Sequence, residues 1–470
     1  MHKEVAMEEK LVVRVYDVGF GDCIYVRVPD GEQSSNVVID CGSKDTVQGG
    51  QKPTDAIDHI ISKLPKEADG KKHIHLLVVT HPHFDHINGF EKKRFEKAAI
   101  DRIWLPVFMN PDHEQAEKAQ AFQNAADEEA RLLLKRPGLK LSQEARDLLM
   151  RSVSNATALE NLRVNFAEFN QIDALYPLYI SRDMGKESID LDRYDFQIVE
   201  GVATFCGFND SNTHLRVLAP EWNIDKYYLG RITEDYKSLV HMNALRLSAY
   251  HEGVAEVESE IGSASTKTGE VLDKLPQNIS EKEFRALQNR MLYSVLEFTE
   301  EEGHLKNNTS VVLLLEWKGR RLLFTGDAEW DGKGMEEGRK NCCWDVMYGI
   351  PEVKNVLLKP LDYFKISHHG SINGTPFEKQ GFKKIVEKMV IPGQTEVVVS
   401  TKWGTHNKKN PIPCVDIMTS LGNLAKNKRK YPQDPDEELQ DQFQPQRTDQ
   451  EPDVPDDTAR YVEVAFGPAD

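Results

Sequence analysis

"VVTHPHFDHINGF", residues 78–90, sets three histidines and an aspartate within six positions directly behind a β-branched run. The stretch leading into it, HIHLLVVT (73–80), reads as a buried strand, because Val and Thr suit a pleated backbone. His81 and His83 are two apart, so in extended backbone both side chains point to one side. Asp85 and His86 follow as the chain turns into a helix at Asn88-Gly89. A lone histidine is ordinarily a satisfied polar residue. Four ligand-type side chains in six positions after a buried strand point instead to metal, the first pair gripping one cation and the second pair another.

The rest of the composition narrows the setting. With 470 residues and 39% hydrophobic content, the chain can build a sizeable core. Its 59 Lys and Arg stand against 76 Asp and Glu, a formal charge of −17, which argues against a protein that coats nucleic acid through phosphate counterion release. The six cysteines are scattered without a CxxC pair, as expected of reduced thiols. No apolar stretch reaches the roughly 18 residues that a membrane span needs, and no apolar leader precedes the first strand. The expectation is a cytoplasmic protein with no membrane partner.

Along the chain, residues 10–42 read as strands joined by tight turns, and 52–64 as a helix. From about 111 to 170 apolar residues recur at three-to-four spacing among charges, a helical pattern, and 280–298 repeats it. Strand character returns in 310–330, 356–371 and 396–400. A basic KNKRK (426–430) and a Pro- and Asp-rich run (431–457) suggest a flexible acidic loop, and ARYVEVAF (459–466) a closing strand. The division is a first part of the main domain with the histidine loop over 8–91, a largely helical insertion with some strands over 92–300, a second part of that domain over 301–424, the loop 425–458 and the strand 459–470.

HxHxDH is the signature of the metallo-β-lactamase fold superfamily, and several ordered motifs resemble one branch of it, the hydrolase domain of the bacterial competence DNA-uptake protein and its free-standing relatives. YDVGFGDCIYVRVPDG (16–31) is similar to that branch's opening DVGQGD turn, with Phe20 where Gln is usual. VIDCG (38–42), NNTSVVLLLEWKGRRLLFTGD (307–327) and KISHHGS (365–371) match its later motifs, and a weaker match covers 397–422. The resemblance implies an α/β fold, an αββα sandwich of two mixed β-sheets with ligand loops along one edge. The long helical insertion would act as a lid or a surface for a protein partner.

The resemblance also implies the site. Metal ligands would be His81, His83, Asp85, His86, the bridging Asp327 and His368, with His369 facing substrate; His369 and Asp85 are the residues expected to take part in the chemistry. Asp17, Asp22 and Asp40 would orient ligands from behind, as outer-layer carboxylates do. Asn308 stands nineteen residues before Asp327, where many superfamily members carry a further histidine, and His406 stands four residues before Asn410-Pro411, where the branch often has His-Pro. Because Asn is a poorer ligand than imidazole, one of the two divalent ions should bind more weakly, and Asn308→His should tighten it. Zn²⁺ is expected, with Mn²⁺ or Mg²⁺ accepted in the weaker site. The function implied is a metal-dependent hydrolase using a hydroxide bridged by two ions, a phosphodiesterase or nuclease acting on nucleotides or single-stranded nucleic acid. The alternatives are hydrolysis of another ester or amide, such as a phosphocholine ester or lactone, and a non-catalytic, metal-stabilised binding module.

Overall fold

The computed structural model describes residues 9–44, 50–135, 141–173, 177–184, 189–229, 303–377, 383–403, 411–434, 436–450 and 459–469. The chain starts with an antiparallel run of β1 (Leu11–Tyr16), β2 (Cys23–Asp30) and β3 (Gln33–Cys41), followed by α1 (Pro53–Lys63). Then come β4 (His73–Ile74), β5 (Leu76–Val78), α2 (Phe84–Ile87), α3 (Lys92–Phe95), β6 (Ala99–Ile100) and β7 (Ile103–Pro106). Helices α4 (Glu114–Lys135) and α5 (Gln143–Asp173) precede β8 (Leu178–Ile180). The second half contains β9 (Phe196–Val199), β10 (Val202–Phe205), β11 (Thr213–Ala219), β12 (Val312–Trp317) and β13 (Arg320–Phe324). It continues through α6 (Cys343–Gly349), α7 (Pro351–Leu357), β14 (Tyr363–Lys365), α8 (Lys383–Met389), β15 (Glu396–Val399), α9 (Val415–Leu424), β16 (Gln446–Arg447) and β17 (Tyr461–Phe466).

The strands form two mixed sheets. One has the order β17-β1-β2-β3-β5-β7-β8 and the other β16-β15-β14-β13-β12-β11-β10-β9, while β4 and β6 pair apart. In the first sheet β17 to β3 are antiparallel, whereas β3, β5, β7 and β8 are parallel. The second repeats the division, with β9 to β13 antiparallel and β13 to β16 parallel.

Period-two alternation explains why the sheets stack. Val13 and Val15 of β1, Ile24, Val26 and Val28 of β2, and Leu76 and Val78 of β5 enter one buried cluster with Leu313, Leu315 and Trp317 of β12 and Phe324 of β13. The alternate residues Tyr16, Tyr25, Val38 and Leu77 face the other way, into a second cluster with Ile57, Ile60 and Ile61 of α1 and Leu159 and Leu162 of α5. Trp317 fastens the layers further, its buried indole N–H donating to the Pro29 carbonyl of the facing sheet at 3.0 Å. Sheets face to face with helices outside make the αββα sandwich expected from the motifs.

The described residues within 9–116, 157–229 and 304–469 belong to this sandwich unit. The helical residues Glu117–Ala156 belong to a second unit, where Ala130 and Leu149 are buried among Leu133, Leu134, Leu141 and Val153. The expected helical run at 280–298 lies outside the described residues.

The charge-rich segment 425–450 differs from the loop that its composition suggests. Its strand β16 adds to the second sheet beside β15, and the guanidinium of Arg447, 0% exposed, lies between Asp434 and Asp449 and accounts for the burial of charge. The ion pairs satisfy inside the fold what the composition would place in water. Residues 451–458 lie outside the described part.

Candidate metal centre

The ligand candidates singled out by sequence stand at the carboxyl ends of parallel strands, where open α/β sheets form their crevices. β5 delivers Thr80 to His86, β13 delivers Asp327, β14 delivers His368 and His369, β15 delivers Ser400, and β3 carries Asp40 next to its last residue, Cys41. The histidine loop packs directly on backbone. A Cβ on Gly42 would lie 2.4 Å from the Asp85 carbonyl carbon, and one on Gly21 would lie 2.7 Å from the Asp85 carbonyl oxygen. Only glycine permits that approach, which explains the two glycines in turns far apart in sequence.

Two donor groups share Asp327: Asp85, His86, Asp327 and His369, all buried, and His81, His83 and Asp327, with donor atoms within 4.8 Å of one another in each group. Nε2 of His86 is 3.3 Å from Asp327 Oδ2, and Nε2 of His81 and of His369 are each 3.7 Å from it. His369 Nε2 also lies 3.4 Å from Asp85 Oδ2, and His81 Nε2 faces His83 Nδ1 at 3.0 Å.

The far sides of the His86, His369 and His81 rings are engaged. His86 Nδ1 is held by Asp40 Oδ2 at 2.7 Å, and His369 Nδ1 by the Ser400 carbonyl at 3.0 Å. Thr80 Oγ1 donates to Asp40 at 2.6 Å and receives His81 Nδ1 at 3.0 Å. These partners set the tautomer that leaves Nε2 with its lone pair aimed inward. Buried Asp85 Oδ1, Asp327 Oδ1, His86 Nε2 and His369 Nε2 have no hydrogen-bond partner. Unpaired buried donors and acceptors are rare in folded proteins, and convergent ones of ligand type fit a metal ion.

The local charges agree with that fit. Burial holds the His81 and His83 imidazoles well below their usual range, so both are neutral and able to ligate. Burial also opposes charge on His86, but the carboxylates of Asp327 and Asp40 on either side outweigh it and hold this imidazole well above its usual range. Burial pushes the Asp327 carboxyl up, yet the surrounding His86, His369 and His368 keep it well below its usual range. Positive charge is favoured between these carboxylates, and a cation can take the proton's place.

Behind the donors stand the three aspartates. Asp40, in left-handed backbone at φ 56, accepts from the Thr80 amide at 2.7 Å as well as bonding His86 and the Thr80 hydroxyl, so it carries both the loop and a ring. Asp22 accepts from Ser400 Oγ and pairs at 3.1 Å with the buried Lys365 ammonium. Asp17 sits one layer further out, pairing at 3.0 Å with Arg460 and so fastening the end of β1 to the start of β17.

Burial pushes the Asp17 carboxyl up from 3.8 to about 6, against the opposing pull of Arg460. The folded state therefore holds this proton more tightly than the unfolded state. The contribution is fully present below 3.8 and is lost as pH rises through about 6. We expect the stability of Asp17→Asn relative to wild type to rise by roughly 3 kcal/mol between about pH 3 and pH 8, read from paired denaturant melts. A constant difference would contradict the shift.

The adjacent histidines are placed the other way round from the sequence expectation. His369, expected to face substrate, joins the four-donor group, whereas His368, expected as the ligand, has its Nε2 3.9 Å from Asp327 Oδ2 and its Nδ1 3.5 Å from Glu329 Oε1. The reason is conformational. His368 and His369 both adopt left-handed backbone, at φ 47 and 54, which turns the second ring inward. Such backbone costs on the order of 1–3 kcal/mol per residue and is concentrated at functional sites.

Asn308 does not offer its amide to the donor groups. Its Oδ1 accepts from the Cys343 amide at 2.7 Å, and its Nδ2 donates to the His304 carbonyl at 2.8 Å and to Glu329 at 3.1 Å. His304 pairs with the same Glu329, at 2.8 Å. Asn308→His is thus expected to lower stability by about 1–3 kcal/mol without tightening metal, the reverse of the expectation from spacing alone. Thermal melts with parallel metal titration check it, and tighter binding would overturn it. His406 lies outside the described residues.

Sequence reading passed over several contributors. Thr80 and Glu329 flank the motifs, and their signal was a polar residue next to a ligand at a strand end. Ser400 gives His369 its partner through backbone, which no residue type reveals. Lys44, whose Nζ lies 2.9 Å from Asp85 Oδ2, carried no motif. A further group, Asp331, Cys342 and Asp345, differs from the centre in that Asp345 accepts from the Asp331 and Gly334 amides while Asp331 pairs with Arg339.

Comparison with known proteins gives a match of residues 16–129 to the metallo-beta-lactamase superfamily. No curated protein matches the chain. Among solved structures, a beta-lactamase domain protein from Burkholderia ambifaria aligns at 17% identity over 46% of this chain and 46% of that one, with a TM-score of 0.21, an overlay too weak to bear on function. The chain thus spans just under half the length of that relative. The matched segment, which holds β2, β3 and the whole histidine loop, is similar to the metallo-beta-lactamase superfamily.

Proposed function

We propose that this protein is a metal-dependent hydrolase that cleaves phosphodiesters. The observation that carries the reading is the convergence of buried Asp85, His86, Asp327 and His369 donor atoms without hydrogen-bond partners, beside His81 and His83. The superfamily match suggests metal-dependent hydrolysis in general. His81, His83 and Asp327 would hold one divalent ion, and Asp85, His86, His369 and Asp327 the other, in a change from the ligand role expected for His368. Such ions, when bound, make a water nucleophilic at neutral pH and stabilise negative charge on the attacked group.

The chain's own residues supply the rest. Asp40, Thr80 and the Ser400 carbonyl fix the rings. His368, with its Nδ1 3.5 Å from Glu329 Oε1 and its side chain 17% exposed, is a ring next to the donors that stands open to a substrate. Four imidazoles and two carboxylates bring a charge of only about −2 to two dications, so the loaded site is positive and attracts an anion. The acidic chain as a whole favours a nucleotide or a short single strand over a tracked duplex. No helix among the described residues is long and apolar enough to cross a membrane. The helical insertion is proposed to shape substrate access or to bind a protein partner.

The test is turnover of bis(p-nitrophenyl) phosphate by purified protein. Activity should vanish with chelator and return with Mn²⁺ or Zn²⁺. Turnover confined to carboxylic esters or lactones would replace the substrate class. None with any metal would leave a binding module.

A further inference from the structure

We infer that Lys44 is the anion-recognition residue of this centre, selecting substrates that present a negatively charged oxygen beside the metal site. The inference rests on the hydrolase reading above and deepens it. Three observations support it, the first being where the residue is anchored. The Lys44 amide donates to the Phe20 carbonyl at 2.7 Å, and the neighbouring Ser43 amide donates to Asn88 Oδ1 at 2.9 Å, just past the end of α2. The backbone is thereby fastened to both the opening turn and the histidine-loop helix.

Second, the side chain leaves that anchor at the edge of the donor cluster. It is 36% exposed, while the Asp85 carboxylate it reaches at 2.9 Å is fully buried. Its ammonium lies 4.6 Å from the centre of the Phe20 ring, and that ring packs against His369 at 4.3 Å between centroids. Phe20 thus supports both a candidate ligand and the lysine, and an aromatic face holds a cation without neutralising it. The lysine thus stands at the exposed edge of the donor cluster.

Third, Lys44 and a metal ion would compete for one atom. Asp85 Oδ2 is the oxygen that faces both Lys44 Nζ and His369 Nε2. A divalent ion satisfies that carboxylate more strongly than an ammonium does and repels the neighbouring positive charge. Lysine has a long stem and three donors free to reorient, so its ammonium can swing from the carboxylate to an anionic oxygen held at the same ion. A phosphate or phosphodiester oxygen supplies the charge that the ammonium then lacks, and a neutral ester supplies none.

The experiment uses the full chain loaded with Mn²⁺, as wild type, Lys44→Met and Lys44→Arg. Inorganic phosphate is titrated by calorimetry, and KM is measured for bis(p-nitrophenyl) phosphate and for neutral p-nitrophenyl acetate. Lys44→Met should weaken phosphate binding and raise KM for the diester about tenfold, the effect of one charged hydrogen bond. Lys44→Arg should stay within about threefold of wild type, since the positive charge is kept. KM for the acetate should not move, and Mn²⁺ affinity should hold or rise in Lys44→Met, because a competitor for Asp85 is gone. Unchanged phosphate affinity in Lys44→Met would overturn the inference. So would a loss that Arg does not restore or one that tracks lost metal, since the lysine would then be a structural counterion to Asp85. If wild type cleaves no phosphodiester, the hydrolase reading fails, while the phosphate titration still decides the role of Lys44.

Discussion

Asp327→Asn is expected to remove hydrolysis almost completely, lowering kcat/KM by at least about a thousandfold, on the order of 4 kcal/mol of transition-state stabilisation. The carboxylate is shared by both donor groups, with His86, His81, His369 and His368 arranged around its Oδ2 at 3.3 to 3.9 Å. An amide keeps the shape but loses the charge that two cations would share. Metal analysis of the purified variant should show less bound ion than wild type. The core should survive, because Asp327 stands beyond the end of β13 and the sheets meet through Leu322 and Phe324. A variant with full turnover and full metal content would remove Asp327 from the centre.

The second large effect separates the adjacent histidines. His369→Ala should lose about one ion per chain and at least about a hundredfold in activity, because its ring completes the four-donor group with Asp85, His86 and Asp327. His368→Ala should retain both ions and lose less activity, since its ring stands outside the two donor groups. Metal stoichiometry and steady-state kinetics on the two variants decide the point. Loss of metal from His368→Ala with retention in His369→Ala would restore the assignment first expected from the motif.

That reversal shows what the sequence can and cannot carry. The histidine loop was legible because HxHxDH concentrates ligand chemistry after a β-branched run, and the structure puts those residues at the end of β5. Individual strands were legible from alternation, as in Ile24, Val26 and Val28 of β2, whereas their stacking as two mixed sheets followed from the resemblance. The geometry of the His368-His369 pair was not, because it includes two consecutive left-handed residues, and chain conformation is not written in residue type. Asn308 was read by its spacing from Asp327, whereas its amide is taken up by Cys343 and Glu329, partners that only tertiary packing brings near. Composition misled at Arg447, whose charge is buried between two aspartates from the same segment. Lys44 escaped notice because a single lysine in a turn carries no pattern.

The central claim is that two donor groups sharing Asp327 hold two divalent ions. Anomalous diffraction from crystals of the full chain grown with Mn²⁺ or Zn²⁺ tests it most directly. The account predicts two peaks, one between His81 Nε2, His83 Nδ1 and Asp327, the other between Asp85, His86 Nε2, His369 Nε2 and Asp327. No peak at either position, or a signal confined to Asp331, Cys342 and Asp345, would contradict it.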